Sequence, residues 1–181
     1  TFSLDFKKAV YDIMDYLTGL GHRKIAFLGG EEYVEHNEVF CDERRKYFEE
    51  YATKNGLDAS SYLKIGEYSI ESGYRMMREM LTEGKNPTAV FAASDHIAIG
   101  AMKAIREKGL RIPQDISMIG FDDVDLCGFI KPTLTTMHAP AYEMGQYGAN
   151  FLVAASNLLQ ASPIKVKMPC RLVERESCAC I

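Results

Sequence analysis

Polar side chains follow two apolar segments that each read as a β-strand. Ser94 and Asp95 come directly after segment 88–93, and Asp122 comes at the end of segment 116–121. In open parallel sheets, ligands bind beyond the carboxyl ends of the strands. An ionised carboxylate can accept hydrogen bonds from two adjacent hydroxyl groups. The two segments therefore predict a cleft for a polyhydroxylated ligand, and they favour binding over catalysis.

The neighbours of these residues have simpler expected roles. A helix is predicted from His96, with Asp95 as the N-cap whose carboxylate accepts from the first free backbone amides. Asp123 points away from Asp122 because adjacent strand residues face opposite sides, so Asp123 is expected to form the turn. The same geometry makes Asp122 and Asp123 a poor acid and base pair for glycoside hydrolysis.

Catalytic motifs are not found in the sequence. It contains no G-x-S-x-G elbow, no P-loop and no G-x-G-x-x-G after a predicted strand. We therefore predict that the chain is not an enzyme.

Length and composition favour one compact unit. A chain of 181 residues with 47% hydrophobic residues can bury one substantial core. The net charge of −4 is spread along the chain and the basic clusters are short, so these residues are not expected to hold nucleic acid. No apolar segment approaches the roughly 20 residues that span a bilayer, and the first residues do not resemble a signal peptide. We expect a soluble chain that does not bind a membrane.

The cysteines indicate a reducing compartment. There are five, an odd number without C-x-x-C spacing, which does not suit a secreted disulfide framework. We expect them to be reduced and the protein to be cytoplasmic. Cys178 and Cys180 together with Cys170 are an alternative metal site, but thiols near a chain end are usually inert. We predict neither a metal nor a cofactor.

Helical and strand patterns alternate along the chain. A continuous apolar run such as 25–28 is typical of a strand covered by helices on both faces. The β-α-β order predicts an α/β fold with a mostly parallel sheet flanked by helices. Residues 31–40 are expected to form a polar loop, and residues 133–138 are expected to form a strand that leaves the lobe. The predicted helices are 5–20, 43–55, 69–83, 97–108 and 142–160, and the other predicted strands are 25–28, 63–67, 89–92, 116–120, 166–168 and 171–173.

Several motifs resemble one family in order along nearly the whole chain. The chain resembles the carboxyl-terminal part of a LacI/GalR-family transcriptional regulator, whose effector-binding region has the two-lobed fold of type I periplasmic sugar-binding proteins. Each motif is weak by itself, but seven in order are specific. The segments that carry the resemblance are 16–30, 68–74, 92–100, 112–117, 119–123, 132–136 and 175–177.

The resemblance implies a division of the chain. Residues 1–138 are expected to form the carboxyl-terminal lobe of the effector-binding domain, and 164–181 to form strands that return to this lobe. Residues 139–163 are expected to form a helix that packs on the amino-terminal lobe. That lobe and the DNA-binding head are not in this sequence. We therefore expect the apolar face of the helix to seek another partner, for example by self-association.

The resemblance also implies ligand-binding roles for Asp122 and Arg44. Asp122 matches the family carboxylate that accepts from ligand hydroxyls or ring nitrogens, and the alternative is that it caps the turn. Arg44 matches the ligand-contacting arginine of the family, and the alternative is a surface salt bridge with Glu43 or Glu49. Tyr47 stands where the family usually has glycine, which puts close packing of this helix in doubt.

Two further ligand contacts are implied. Tyr68 matches an aromatic residue at the cleft rim that suits the C–H face of a sugar, or it is an ordinary strand-end tyrosine. Ser94 matches a polar position that often contacts ligand, or its hydroxyl only closes the turn. Ala139 cannot supply the polar contact that the family often has at its position. His138 is a candidate for it, or a surface hydrogen bonder.

The function that the resemblance implies is effector binding in a DNA-binding transcriptional regulator. A small molecule, most commonly a sugar, would bind between the lobes of a homodimer and alter its affinity for operator DNA, which the absent amino-terminal head would bind. Nucleobases and other small metabolites fit the same fold, and the sequence does not separate a repressor from an activator. The alternative is a periplasmic-type sugar-binding protein of a transporter.

Overall fold

The computed structural model of the protein describes residues 1–34, 38–40, 42–155 and 164–181. Its helices are α1 (Phe6–Gly19), α2 (Glu43–Lys54), α3 (Ile70–Thr82), α4 (Asp95–Glu107) and α5 (Ala141–Ala155). Its strands are β1 (Phe2–Leu4), β2 (Ile25–Gly30), β3 (Glu32–Val34), β4 (Glu38–Phe40), β5 (Leu63–Gly66), β6 (Ala89–Ala92), β7 (Ser117–Asp122), β8 (Thr135–His138), β9 (Val166–Met168) and β10 (Arg171–Val173). Two short 3₁₀ helices cover Ser60–Tyr62 and Asp125–Gly128.

A six-stranded sheet forms the centre of the molecule. Its strand order is β10-β8-β7-β6-β2-β5, and only β10 runs antiparallel to its neighbour. The predicted α/β fold with a mostly parallel sheet flanked by helices is confirmed. Because the parallel strands all end at the same edge, the loops that follow them lie together there.

Helices cover both faces of this sheet, which explains the continuous apolar runs. In β2, Ala26 and Leu28 pack in the core under α3 and α4, and Ile25 and Phe27 pack in the core under α1 and α2. All six residues of β2 are buried. Since successive side chains of a strand point to opposite faces, both sets must be apolar.

Glycine permits close contact between α3 and α4. A Cβ atom on Gly73 would lie 2.2 Å from the carbonyl oxygen of Ile97, and one on Gly100 would lie 1.9 Å from the carbonyl oxygen of Ile70. No other residue fits at these two positions without moving a helix backbone. The two glycines therefore set the spacing of α3 and α4 above the sheet.

Two expectations about loops and strands are wrong. Residues 31–40 were expected to form a loop, but β3 and β4 pair as an antiparallel hairpin, with Glu32 opposite Phe40. Segment 133–138 was expected to be a strand that leaves the lobe, but β8 lies inside the main sheet, between β7 and β10. β8 pairs with β7 on one side, and β10, from the carboxyl-terminal segment, pairs with β8 on the other side.

A second, small sheet lies apart from the first. β1 pairs in parallel with β9, and α5 packs against β1, where the rings of Phe2 and Phe151 are 6.1 Å apart. Of the two strands expected to return to the lobe, β10 joins the main sheet and β9 joins β1. The predicted helix 142–160 is described as far as Ala155, and residues 156–163 lie outside the described residues.

Apolar side chains are exposed on the outer side of α5. Tyr142 is 79% exposed, Leu152 70% and Val153 69%. Within the described ranges, no helix is both long enough and apolar enough to cross a membrane.

A buried histidine holds the opposite edge of the main sheet, where the parallel strands begin. The Nδ1 atom of His22 lies 3.0 Å from the hydroxyl of Thr88, and its Nε2 atom lies 3.0 Å from the hydroxyl of Ser117 and 3.1 Å from the carbonyl of Ala179. His22 is fully buried, and this burial lowers its pKa, although the hydrogen bond to Ala179 opposes the shift. The imidazole thus joins β6 and β7 to the carboxyl-terminal segment.

We expect His22 to make the protein less stable in mild acid. Because the pKa of His22 is lowered in the folded state, the unfolded chain binds the proton first, and the free energy of unfolding falls as the pH drops below about 6.5. His22→Gln removes this titration, so the fall in the free energy of unfolding from about pH 7 to about pH 5 becomes smaller. Urea unfolding at each pH measures it.

The matched control is His96→Gln, since His96 is exposed. The pH profile of this variant should lie closer to that of the parent protein than the profile of His22→Gln does. Parallel pH profiles for the parent and His22→Gln would contradict the assignment.

Candidate ligand-binding site

The residues predicted to bind ligand come together at the carboxyl edge of the main sheet. Tyr68 follows β5, Ser94 follows β6, and Asp122 is the last residue of β7. Arg44 lies in the first turn of α2, which packs over the same edge. The strand order places β6 between β7 and β2, so side chains from distant parts of the chain meet here.

Arg44 is the most highly connected side chain of the site. Its Nε donates to both carboxylate oxygens of Asp42 at 2.9 Å, one terminal nitrogen donates to the carbonyl of Ala93 at 2.7 Å, and the other donates to the hydroxyl of Tyr68 at 2.8 Å. Of the five N–H donors of a guanidinium, three are used, which leaves two for a ligand. The backbone N–H of Arg44 also donates to Asp42, which is the N-cap of α2.

Aromatic rings surround the Arg44 guanidinium. Its central carbon lies 5.4 Å from the ring centroid of Phe6 and 5.2 Å from those of Tyr68 and Phe121. The side chain is 12% exposed. Burial lowers the pKa of Arg44, but Asp42, Tyr68 and Asp122 outweigh this effect and the pKa is raised overall. The group stays charged and is held in a fixed orientation.

The predicted alternative for Arg44, a surface salt bridge with Glu43 or Glu49, does not form. Glu49 accepts from Arg45 instead, at 3.2 Å. Tyr47, which stands where the family usually has glycine, packs against the core, and its hydroxyl donates to the Glu43 carboxylate. The departure at Tyr47 therefore does not displace Arg44 from the site.

Asp122 presents a carboxylate without a fixed partner. No hydrogen bond joins its side chain to another residue in the part of the chain that the structure describes. Burial raises the pKa of Asp122 to about 6, although the Arg44 charge lowers it. A half-buried, unpaired carboxylate is costly unless something binds it.

The backbone turns sharply after β7. Asp122 has φ of 111° and Asp123 has φ of 62°, both in the left-handed region that non-glycine residues seldom adopt. Asp123 holds this turn, since one of its carboxylate oxygens accepts from Arg175 at 2.7 Å and the other lies 3.1 Å from Nδ1 of His138. Asp123 is thus the turn former that the sequence predicts, and His138 is tied to it.

Asp95, at the start of α4, supports the same turn through hydrogen bonds. It was predicted to be the N-cap of α4, but Ser94 is the N-cap, with its hydroxyl accepting from the backbone N–H of Ile97. The Asp95 carboxylate is fully buried and accepts from the Thr136 hydroxyl at 2.6 Å and the Val124 backbone N–H at 2.9 Å. The N-cap expectation is therefore wrong by one residue, because the Asp95 side chain turns toward β7 and β8.

Ser94 and Tyr68 have structural partners in the site. Ser94 is 5% exposed and closes the turn before α4. The Tyr68 ring lies against Gly30, where a Cβ atom would be 2.4 Å from it, and its hydroxyl donates to Asp42. Their ligand contacts stay predictions.

Two features of the site were not predicted from the sequence. The first is Asp42, which pairs with Arg44, and the spacing Asp-x-Arg at a helix start is a signal that could have indicated it. The second is Cys170, whose thiol packs against the core beside this edge and is within electrostatic reach of Asp122. Burial raises the pKa of Cys170 to about 11, helped by Asp5 and Asp122. Among the described residues, no group of His, Cys, Asp and Glu side chains could hold a metal ion.

A mostly parallel sheet with polar groups at one open edge, covered by helices on both faces, defines a class of α/β ligand-binding lobes. The chain belongs to the periplasmic binding protein-like domain family, whose model matches residues 14–178. The resemblance to LacI-family regulators is also confirmed. The chain is 33% identical over 184 residues to the HTH-type transcriptional repressor MelR of Bacillus subtilis. This alignment covers 99% of the chain and 53% of MelR.

Solved structures agree with this assignment. The Lac repressor dimer bound to operator and the anti-inducer ONPF is similar, with a TM-score of 0.89 and 31% identity over 98% of this chain and 60% of that chain. A LacI family transcriptional regulator from Enterococcus faecium with bound ribose has a TM-score of 0.84 and 29% identity, over 99% of this chain and 65% of that one. The chain spans about half the length of the curated relatives that it matches.

We expect Asp95→Asn to destabilise the protein by about 1–3 kcal/mol, because an amide replaces one of two buried acceptor oxygens and leaves a donor facing another donor. Denaturant unfolding measures the loss. The control Asp115→Asn, which weakens the exposed ion pair between Arg111 and Asp115, should cost less. Equal losses in the two variants would show that Asp95 does not hold the turn.

Proposed function

We propose that this chain is the effector-binding part of a DNA-binding transcriptional regulator, and that it binds a sugar or similar polyhydroxylated molecule. The observation that carries the proposal is the unpaired Asp122 carboxylate beside the two free N–H groups of Arg44. The carboxylate accepts from ligand hydroxyls and the guanidinium donates to ligand oxygens. The names of the relatives support a regulator over a transport protein.

The site supports binding without catalysis. Asp122 is open to a ligand, but the Asp123 carboxylate is engaged by Arg175 and His138. The two carboxylates therefore do not face one substrate bond as an acid and base would. The ribose in the Enterococcus faecium regulator is consistent with a sugar effector here.

We propose that a second lobe completes the cleft. Over the described residues, the sheet of β1 and β9 has two open edges, and exposed apolar side chains lie on the outer side of α5. Exposed apolar side chains grouped on one helix are typical of a surface that another element covers. The length of the relatives leaves room for such a lobe and for a DNA-binding head. Closure of the lobes on ligand would change the spacing of two heads in a dimer and so their operator affinity.

The same proposal places the protein in the cytoplasm. Each of the four cysteines that the structure describes is a free thiol, which suits a reducing compartment, and Cys41 lies outside the described residues.

Asp122→Asn should abolish or strongly weaken effector binding in the protein that also carries the second lobe, because the ionised acceptor is lost. Thermal shift against neutral pentoses and hexoses identifies a ligand, and calorimetry gives its affinity. Affinity of the parent should also fall below about pH 6, where Asp122 becomes protonated.

Asp125→Asn is the control, since Asp125 is an exposed carboxylate in the same loop. It should leave the affinity unchanged. Equal affinity in the parent and Asp122→Asn would refute the site.

We propose further that the protein is a homodimer, and that the side of the sheet covered by α3 and α4 faces the partner. Exposed apolar side chains lie on this side: Ile70 is 42% exposed, Leu126 46% and Phe129 84%. Aromatic side chains are enriched at the centres of protein–protein interfaces, and exposed apolar patches often mark them. The dimeric Lac repressor structure is consistent with this assembly.

Phe129→Ser should shift the sedimentation coefficient from dimer toward monomer, because the exposed ring would be buried between the two copies. Tyr142→Ser removes an equally exposed aromatic ring from α5 and should leave the assembly unchanged in the protein that carries both lobes. A dimer that persists in Phe129→Ser at micromolar concentration would place the interface elsewhere.

A further inference from the structure

Asp42 neutralises Arg44, the arginine placed at the candidate ligand site. Both of its carboxylate oxygens accept from Nε of Arg44, and one of them also accepts from the Tyr68 hydroxyl. The side chains of Asp42 and Arg44 are 10% and 12% exposed, so solvent screens this ion pair little. The guanidinium therefore offers N–H donors to a ligand but little net positive charge.

We propose, resting on the function proposed above, that this half of the site takes an uncharged, hydroxyl-bearing part of the ligand and rejects phosphate and carboxylate groups, with Asp42 as the specificity-determining residue. A phosphate bound here would meet the negative charge of Asp122 without a free arginine to offset it. Like charges close together in a water-poor site repel strongly.

The other charged groups near Asp122 do not change this balance. Arg175 is paired with Asp123 at 2.7 Å. His96 lies at the start of α4 and lowers the pKa of Asp122, but it is exposed, so water and salt screen its charge. Asp95 lies nearby as well, and both Asp95 and Asp42 raise the pKa of Asp122. Over the described residues, the field at this edge is therefore negative.

Asp42→Asn separates charge from geometry. Asparagine is as good an N-cap as aspartate, so its side-chain oxygen can still accept from the Arg44 backbone N–H. The same oxygen can accept from Nε of Arg44. The variant is expected to keep α2 and the orientation of Arg44 while it frees the positive charge. Glu43→Gln is the matched control, because it removes a carboxylate one residue away that contacts Tyr47 and not Arg44.

The experiment uses the protein with both lobes and matched pairs of probes, such as ribose with ribose 5-phosphate and glucose with glucose 6-phosphate. Calorimetry gives the ratio of the dissociation constants within each pair. In the parent, the neutral member of any pair that binds should be at least about tenfold tighter, since one unfavourable contact of about 1.4 kcal/mol already gives a factor of ten. Asp42→Asn should reduce this ratio at least about threefold, and Glu43→Gln should leave it unchanged.

Three results overturn the proposal. The first is that the phosphorylated probe binds the parent as tightly as the neutral one. The second is that Asp42→Asn gives the same ratio of dissociation constants as the parent and Glu43→Gln. In both cases the proposed function stands if Asp122→Asn still loses binding. If no probe of either kind binds the parent, the sugar-binding function fails and the charge selection fails with it. Unchanged circular dichroism and melting temperature of the unliganded Asp42→Asn protein confirm that the fold is kept.

Discussion

The buried carboxylate of Asp95 is the contact on which the geometry of the site depends. It lies at the start of α4 and accepts from the ends of two strands, through Val124 after β7 and Thr136 in β8. A Cβ atom on Gly120 would lie 2.2 Å from it, so β7 needs a glycine at this point to make room. A buried charge without partners would be costly, and these donors supply them. The turn that carries Asp122 is thus held between a helix and two strands.

The motifs that carry the family resemblance mostly build this support. Arg175 donates to the Leu134 carbonyl and to Asp123, and the backbone N–H of Thr133 donates to Glu176. The hydroxyl of Ser177 donates to the Met118 carbonyl in β7. The carboxyl-terminal segment therefore joins β7 and β8 and supports the turn that carries Asp122 and Asp123. Residues that support the sheet in this way can be shared by proteins with different ligands, because their contacts are with β7, β8 and the turn after β7.

Local patterns predicted most of the fold, and contacts between distant segments account for what they missed. The apolar run of β2 and the helical pattern of residues 69–83 are visible within a few residues of sequence, and both agree with the structure. The place of β8 inside the sheet depends on β10, more than thirty residues later. The shift of the N-cap from Asp95 to Ser94 depends on donors from β7 and β8. For the site, the family position predicted Arg44, whereas the contact of Asp42 with Tyr68 depends on the fold, which brings the end of β5 to the start of α2.

The open edge of the sheet also explains how ligand binding can drive closure. Asp122 is already buried enough for its pKa to rise to about 6. A second lobe that covers this edge would remove more water from the carboxylate and increase the cost of leaving it unpaired. Ligand hydroxyls that donate to Asp122 would offset this cost, so under the proposed function the closed form would be favoured when ligand is present. Such a difference in free energy between two forms is what a ligand needs in order to shift their populations.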